Sequence, residues 1–201
     1  MTTTFAPFGL EPARRQGSNS NSTGLTQFRI LNGLGGNIFY GDPVMFHTSN
    51  NGTVVVCSTS AGVPVGVFYG CVYNNPNLND QPRFSPFWPA STSVTDGSQP
   101  YALVCDDPQQ TFYIQADASV SVGDINFDFS VTISAGTTRN GRSKTALNAT
   151  SRVVHGFSSV ANSNKLVTVK ELKDFPGNVF GDLYPIVEVQ WVKHAYQMAG
   201  I

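Results

Sequence analysis

Charge is scarce in this chain: Asp, Glu, Lys and Arg make up 12% of its 201 residues, against roughly a quarter in an ordinary soluble domain. The formal net charge is -1, which leaves none of the basic footprint that nucleic-acid binding requires. Cysteine is scarce too. Cys57, Cys71 and Cys105 are odd in number and widely spaced, so neither a disulfide framework nor a zinc motif follows. Cys71 and Cys105 fall within apolar strand patterns and read as buried thiols, which fits folding in a reducing compartment. No apolar run approaches the length of a membrane span. The start, "MTTTFAPFGLEPARR", lacks the basic stretch and apolar run of a secretory signal, so the sequons at Asn21, Asn51 and Asn148 carry little weight.

Catalytic signatures are also missing. There is no H-E-x-x-H, no G-x-S-x-G and no Walker or dinucleotide glycine pattern. His47, His155 and His194 are scattered, and His194, among Trp191, Val192 and Tyr196, reads as structural. The adjacent carboxylates Asp106 and Asp107 precede Pro108. Such a pair could hold a cation or act as acid and base. Asp-Pro at a strand end also starts a turn, the side chain bonding the backbone ahead, and the turn is the reading adopted here and for Asp42-Pro43. Asp124 and Asp128 share a face if their segment is extended, and that face is expected to be solvated. Arg139 and Arg142 bracket an Asn-Gly turn and are expected at the surface. The expectation is therefore no enzyme, no cofactor and no metal.

What is present is Ser, Thr, Asn, Gln and Gly in place of charge. Such a surface repels its neighbours weakly and suits a packed assembly. The length fits one domain, able to bury a core without disulfides. Residues 1–27 read as an extended arm: Phe5, Phe8 and Leu10 lie between Pro7 and Pro12, then Arg14 and Arg15, then "QGSNSNSTG". Proline prevents a helix, and the Gly/Ser/Asn run reads as a loose tether. Residues 28–201 form a single all-β domain, a β-sandwich or β-barrel with long loops. Strands are expected at 27–31, 43–47, 53–58, 63–73, 102–105, 112–116, 125–133, 152–158, 165–171 and 186–194, rich in Val, Ile and aromatics and divided by turn residues. A short helix could start at Ser143. "YGDPVMF" and "VGDINFDF" echo one another, which suggests two related β lobes. Large aromatics in irregular segments are the usual anchors of interfaces; Phe5, Phe8, Leu10, Arg14, Arg15, Phe84, Phe87 and Trp88 are the expected contact set.

Six segments occur in order: "FGLEPARRQGSNS" (8–20), "GDPVMF" (41–46), "PVGVFYGCVY" (64–73), "FWPAS" (87–91), "ALVCDDPQQTFYIQAD" (102–117) and "NGRSKTALN" (140–148). The series resembles minor structural proteins of tailed bacteriophages, particularly podovirus-like phages of aquatic bacteria, a group that includes capsid decoration (cement) proteins. The resemblance implies a virion protein made in the host cytoplasm and bound to the capsid exterior. Its implied partners are the major capsid protein, near three-fold positions between hexamers, and itself, as a homotrimer. It implies no nucleic acid, no membrane and no catalytic motif. The polar loop at 74–82 departs from the pattern. The competing reading is a carbohydrate- or receptor-binding β-module of the virion, with Trp88 as a sugar platform beside Asp106 and Asp107.

Overall fold

The β-branched and aromatic runs do become strands. The computed structural model describes residues 4–15, 24–50, 52–57, 62–95, 97–155 and 164–197, and among these the regular structure is all β apart from three single-turn 3₁₀ helices. Five strands, β2 (Thr26–Ile30), β4 (Pro43–Phe46), β5 (Thr53–Val56), β6 (Gly66–Asn75) and β9 (Tyr101–Cys105), close into a barrel. The order is β4-β5-β2-β9-β6, and β6 pairs back to β4. The ten-residue β6 outlasts β4. Beyond Gly70 it pairs instead with β7 (Gln81–Ser85).

An antiparallel sheet of six strands stands beside the barrel, in the order β1 (Glu11–Arg15), β10 (Gln110–Gln115), β16 (Ile186–Trp191), β15 (Val167–Leu172), β11 (Phe127–Phe129) and β14 (Val153–Val154). Two short ribbons complete the set: β3 (Ile38–Phe39) with β8 (Phe87–Trp88), and β12 (Val131–Thr132) with β13 (Ala146–Leu147). The architecture is thus a barrel and an open sheet together. The expected strand at 152–158 is described only at Val153–Val154, and 156–158 lie outside the described residues.

Two cores result. Ile30, Val44, Val54, Phe68, Cys71 and Val104 fill the barrel. Phe112, Ile114, Phe129, Val167, Val187 and Val189 form the second core, and Val67 of β6 and Cys105 of β9 join it. One barrel wall therefore serves both cores. That wall needs a phase change, because side chains alternate faces along a regular strand. The register slips between Phe68 and Gly70. The extra residue lets Phe68 and Cys71 both face the barrel interior, as a β-bulge does. Gly70 sits at φ 149, and a Cβ there would lie 2.6 Å from the Phe84 ring.

Within the expected arm, residues 4–15 lie against the domain. Leu10 is fully buried in the second core. β1 forms the sheet edge against β10, with Pro12 opposite Phe112; an edge tolerates proline because one side of the strand needs no donor. The segment is a strap laid across the domain. It crosses the barrel where Gly9 (φ 83) meets Gly41 (φ 91), and a Cβ on Gly9 would lie 2.6 Å from the Gly41 carbonyl oxygen. The sequons at Asn21 and Asn51 lie outside the described residues.

Gly9→Ala combines left-handed backbone strain with a clash against backbone. It should destabilise the domain by roughly 2–4 kcal/mol, whereas Gly24→Ala, which has nothing within 4 Å, should change stability by less than about 0.5 kcal/mol. Urea unfolding of the two variants checks this; equal midpoints would show that the crossing does not constrain the fold.

Candidate contact surface

The expected contact set divides once the chain is folded. Trp88 is fully buried in the barrel core, its ring edge-on to Tyr73 with centroids 5.1 Å apart. It is no sugar platform, and that assignment is overturned. β8 pairs with β3, so the "FWPAS" segment is sewn to its own barrel. Leu10 is likewise core. Arg14 and Arg15 are held by their own chain: Arg14 Nε lies 2.8 Å from Glu188 Oε1, and Arg15 Nε 2.9 Å from Asp107 Oδ2. Phe5 remains 45% exposed, its ring 5.1 Å from that of Tyr184. Phe8 and Phe87 are half-buried, and Phe87 stacks on Phe39 at 5.8 Å.

Phe84 is the most exposed aromatic among the described residues, at 57%. It sits on β7, which pairs with β6 alone. Its cross-strand partner is Val72, also exposed. The ring covers the bulge glycine Gly70 on one side and meets solvent on the other. The chain then passes through the exposed Pro86, and Gly141 packs on Pro86 and Phe87. Asn140 and Arg142, flanking Gly141, line a groove of about 790 Å³ with Phe5, Pro7 and Phe8 on its other wall. Pro86 and Phe87 thus pack on Gly141, whose neighbours Asn140 and Arg142 line the groove.

Beneath the strap lies a buried polar hub that the sequence reading missed. Asp42 is 3% exposed. Its Oδ2 accepts from the Phe39 N–H at 2.9 Å, and its Oδ1 accepts from the hydroxyls of Ser143 and Thr145. Burial pushes its pKa up to about 6, against those three hydrogen bonds, which pull it down. Ser143 is therefore no helix cap; the turn at Ala149–Ser151 is capped by Asn148 instead. Asp-Pro did signal a turn here, but nothing local in the sequence points Asp42 at residues a hundred positions away. The Gly-Asp echo is a shared turn. Asp124 Oδ2 accepts from the Ser121 N–H at 2.7 Å, as Asp42 does from Phe39, each bond reaching three residues back.

The other candidate groups are occupied. Asp107 Oδ1 accepts from the Gln109 N–H at 2.9 Å, and Asp106 Oδ1 accepts from the Thr26 hydroxyl at 2.9 Å, which is the turn reading. Asp124 and Asp128 are not a solvated face, contrary to expectation. Asp124 pairs with Arg152 at 2.6 Å, and the fully buried Asp128 lies 2.8 Å from His155 Nδ1 and accepts from Thr168. His194 is buried, and burial holds its pKa down. All three cysteines are free and buried, their thiols pushed up to about 12 by burial. Among the described residues no group of three or more His, Cys, Asp or Glu could hold a metal ion, and no helix is long and apolar enough to cross a membrane.

No family model, curated protein or solved structure matches the chain.

Two outcomes follow from this geometry. Trp88→Ala should cost about 3–5 kcal/mol as a large core truncation, while Phe84→Asp should stay within about 1 kcal/mol; a reversed order in urea unfolding would mean that Phe84 is the structural ring. For Asp42 the folded pKa, about 6, stands above its ordinary 3.8. Its neutral form is thus favoured by folding, and this contribution is full below pH 3.8 and lost as pH rises through about 6. Ser143→Ala removes a hydrogen bond to the ionised form. It should therefore cost more at pH 8 than at pH 4.5, by about 1 kcal/mol or more, and equal losses at the two pH values would contradict the assignment.

Proposed function

We propose that the protein is a capsid decoration protein of a tailed bacteriophage. It binds the exterior of the shell as a homotrimer and stabilises contacts between subunits of the major capsid protein. The observation that carries this reading is Phe84 on β7, 57% exposed and paired across the strands with the exposed Val72. Phe84 is mounted on a paired β strand, so little conformational entropy is lost when a partner covers it. Aromatic anchors of this kind dominate interface energetics. The in-order likeness of the six sequence segments to virion structural proteins supports the same reading, as does a surface poor in charge, which carries few ions to desolvate on contact. Many copies on one shell act together, so modest affinity per site suffices.

The sugar-binding alternative is left without its platform, since Trp88 is core, Asp106 accepts from Thr26 and Asp107 is bonded to Gln109 and Arg15.

The test is co-sedimentation of the purified chain with shells built from the major capsid protein of its own phage. Wild-type protein should saturate the shells. Phe84→Asp should bind about tenfold or more weakly with unchanged circular dichroism. Light scattering should give three times the mass of one chain. Wild-type protein that stays in the supernatant, or Phe84→Asp that binds like wild type, would refute the proposal.

A further inference from the structure

The groove beside the strap is not consumed by the bonds that hold the fold. One wall is the strap, with Phe5, Pro7 and Phe8; the other runs through residues 132–146. Along 142–145 burial alternates: Arg142 exposed, Ser143 buried, Lys144 exposed, Thr145 buried. That alternation is the signature of an extended segment. Ser143 and Thr145 turn in to Asp42, and Arg142 and Lys144 are exposed beside the groove that they line. Side chains two residues apart on an extended chain stand about 7 Å apart, so these cations form a pair of set spacing.

Both cations are exposed, and the one ion pair between them and the described residues is long. Lys144 has no ion pair among the described residues. Arg142 reaches Glu11 at 3.9 Å, a long ion pair, and lies over the Tyr40 ring at 5.3 Å. Asp117 also lines the groove, and its Oδ1 accepts from the Ala149 N–H at 2.9 Å. Its charge opposes a continuous polyanion, and the apolar wall offers nothing to a phosphate chain. A carboxylate-bearing peptide with one apolar side chain uses both walls.

We propose that this groove binds an extended peptide segment that carries carboxylates two residues apart next to an aromatic or aliphatic side chain, contributed by the capsid partner. The carboxylates pair with Arg142 and Lys144, and the apolar side chain lies on Phe5, Pro7 and Phe8. The identity of the partner rests on the decoration reading; the chemistry of the groove does not.

The experiment uses the full chain and three dye-labelled probes in fluorescence anisotropy: acetyl-Phe-Asp-Ala-Asp-Ala-amide, the same peptide with Asn for both Asp, and an oligothymidylate. The acidic peptide should bind about tenfold or more tighter than the Asn peptide at low salt, and added salt should erode the difference. Lys144→Glu and Lys144→Gln, both at an exposed unpaired site, should keep the fold and lose that preference. Phe5→Ala should weaken both peptides. The inference is overturned if the two peptides bind alike, if neither binds, if the oligothymidylate binds as well as the acidic peptide, or if both Lys144 variants retain the preference. Shell co-sedimentation separates the two claims. Shells bound by a chain that ignores the acidic peptide would sink the groove alone. Shells ignored by a chain that binds the peptide would remove the capsid as its source.

Discussion

The crossing of two glycines over one buried carboxylate is the constraint on which the rest of the structure depends. Gly9 and Gly41 approach so closely that neither has room for a side chain. The Leu10 N–H donates to the Gly41 carbonyl at 2.9 Å, and the Gly41 N–H donates to the Phe68 carbonyl at 2.8 Å. The Ser143 N–H donates to the Tyr40 carbonyl at 2.9 Å. Directly below, Asp42 gathers donors from Phe39, Ser143 and Thr145. The strap, the barrel and the 140–145 segment are therefore joined at one point. A buried carboxylate is costly unless it is hydrogen-bonded, so moving the 140–145 segment away takes two of its three donors from Asp42.

From that point the two cores follow. The strap carries Leu10 into the sheet core, and β6 carries Phe68 into the barrel core two positions before its bulge. Phe84 lies over Gly70 from β7 with much of its ring still in solvent, whereas Trp88 is sealed in the barrel.

The scarcity of charge takes on a more definite meaning in the folded state. Many of the carboxylates and cations are bound to one another or to backbone: Arg14 to Glu188, Arg15 to Asp107, Arg152 to Asp124, His155 to Asp128. Catalysis needs titratable groups that converge on an accessible site with perturbed pKa values. Here the strongly shifted carboxylate, Asp42, is buried under hydrogen bonds, and the thiols are raised by burial, which makes them less reactive. Arg142 and Lys144, which line the groove, are both exposed.

Much of this was legible in the sequence, and for local reasons. Alternation of Val, Ile and aromatic residues located most strands, because a half-buried strand has a period of two. Asp-Pro marked turns, and apolar surroundings marked the cysteines as buried. What could not be read were pairings between distant segments. Alternation assigns faces but not partners, so a barrel closed by two residue pairs between β4 and β6, beside an open sheet, was beyond it. Phe5, Phe8, Leu10 and Trp88 look alike as apolar residues near prolines. Only tertiary structure sends Leu10 and Trp88 inside and leaves Phe5 at the surface, because burial depends on what the rest of the chain places opposite each side chain. The spacing of Arg142 and Lys144 was always in the sequence; that both line one groove was decided by Ser143 turning inward to a carboxylate a hundred residues away.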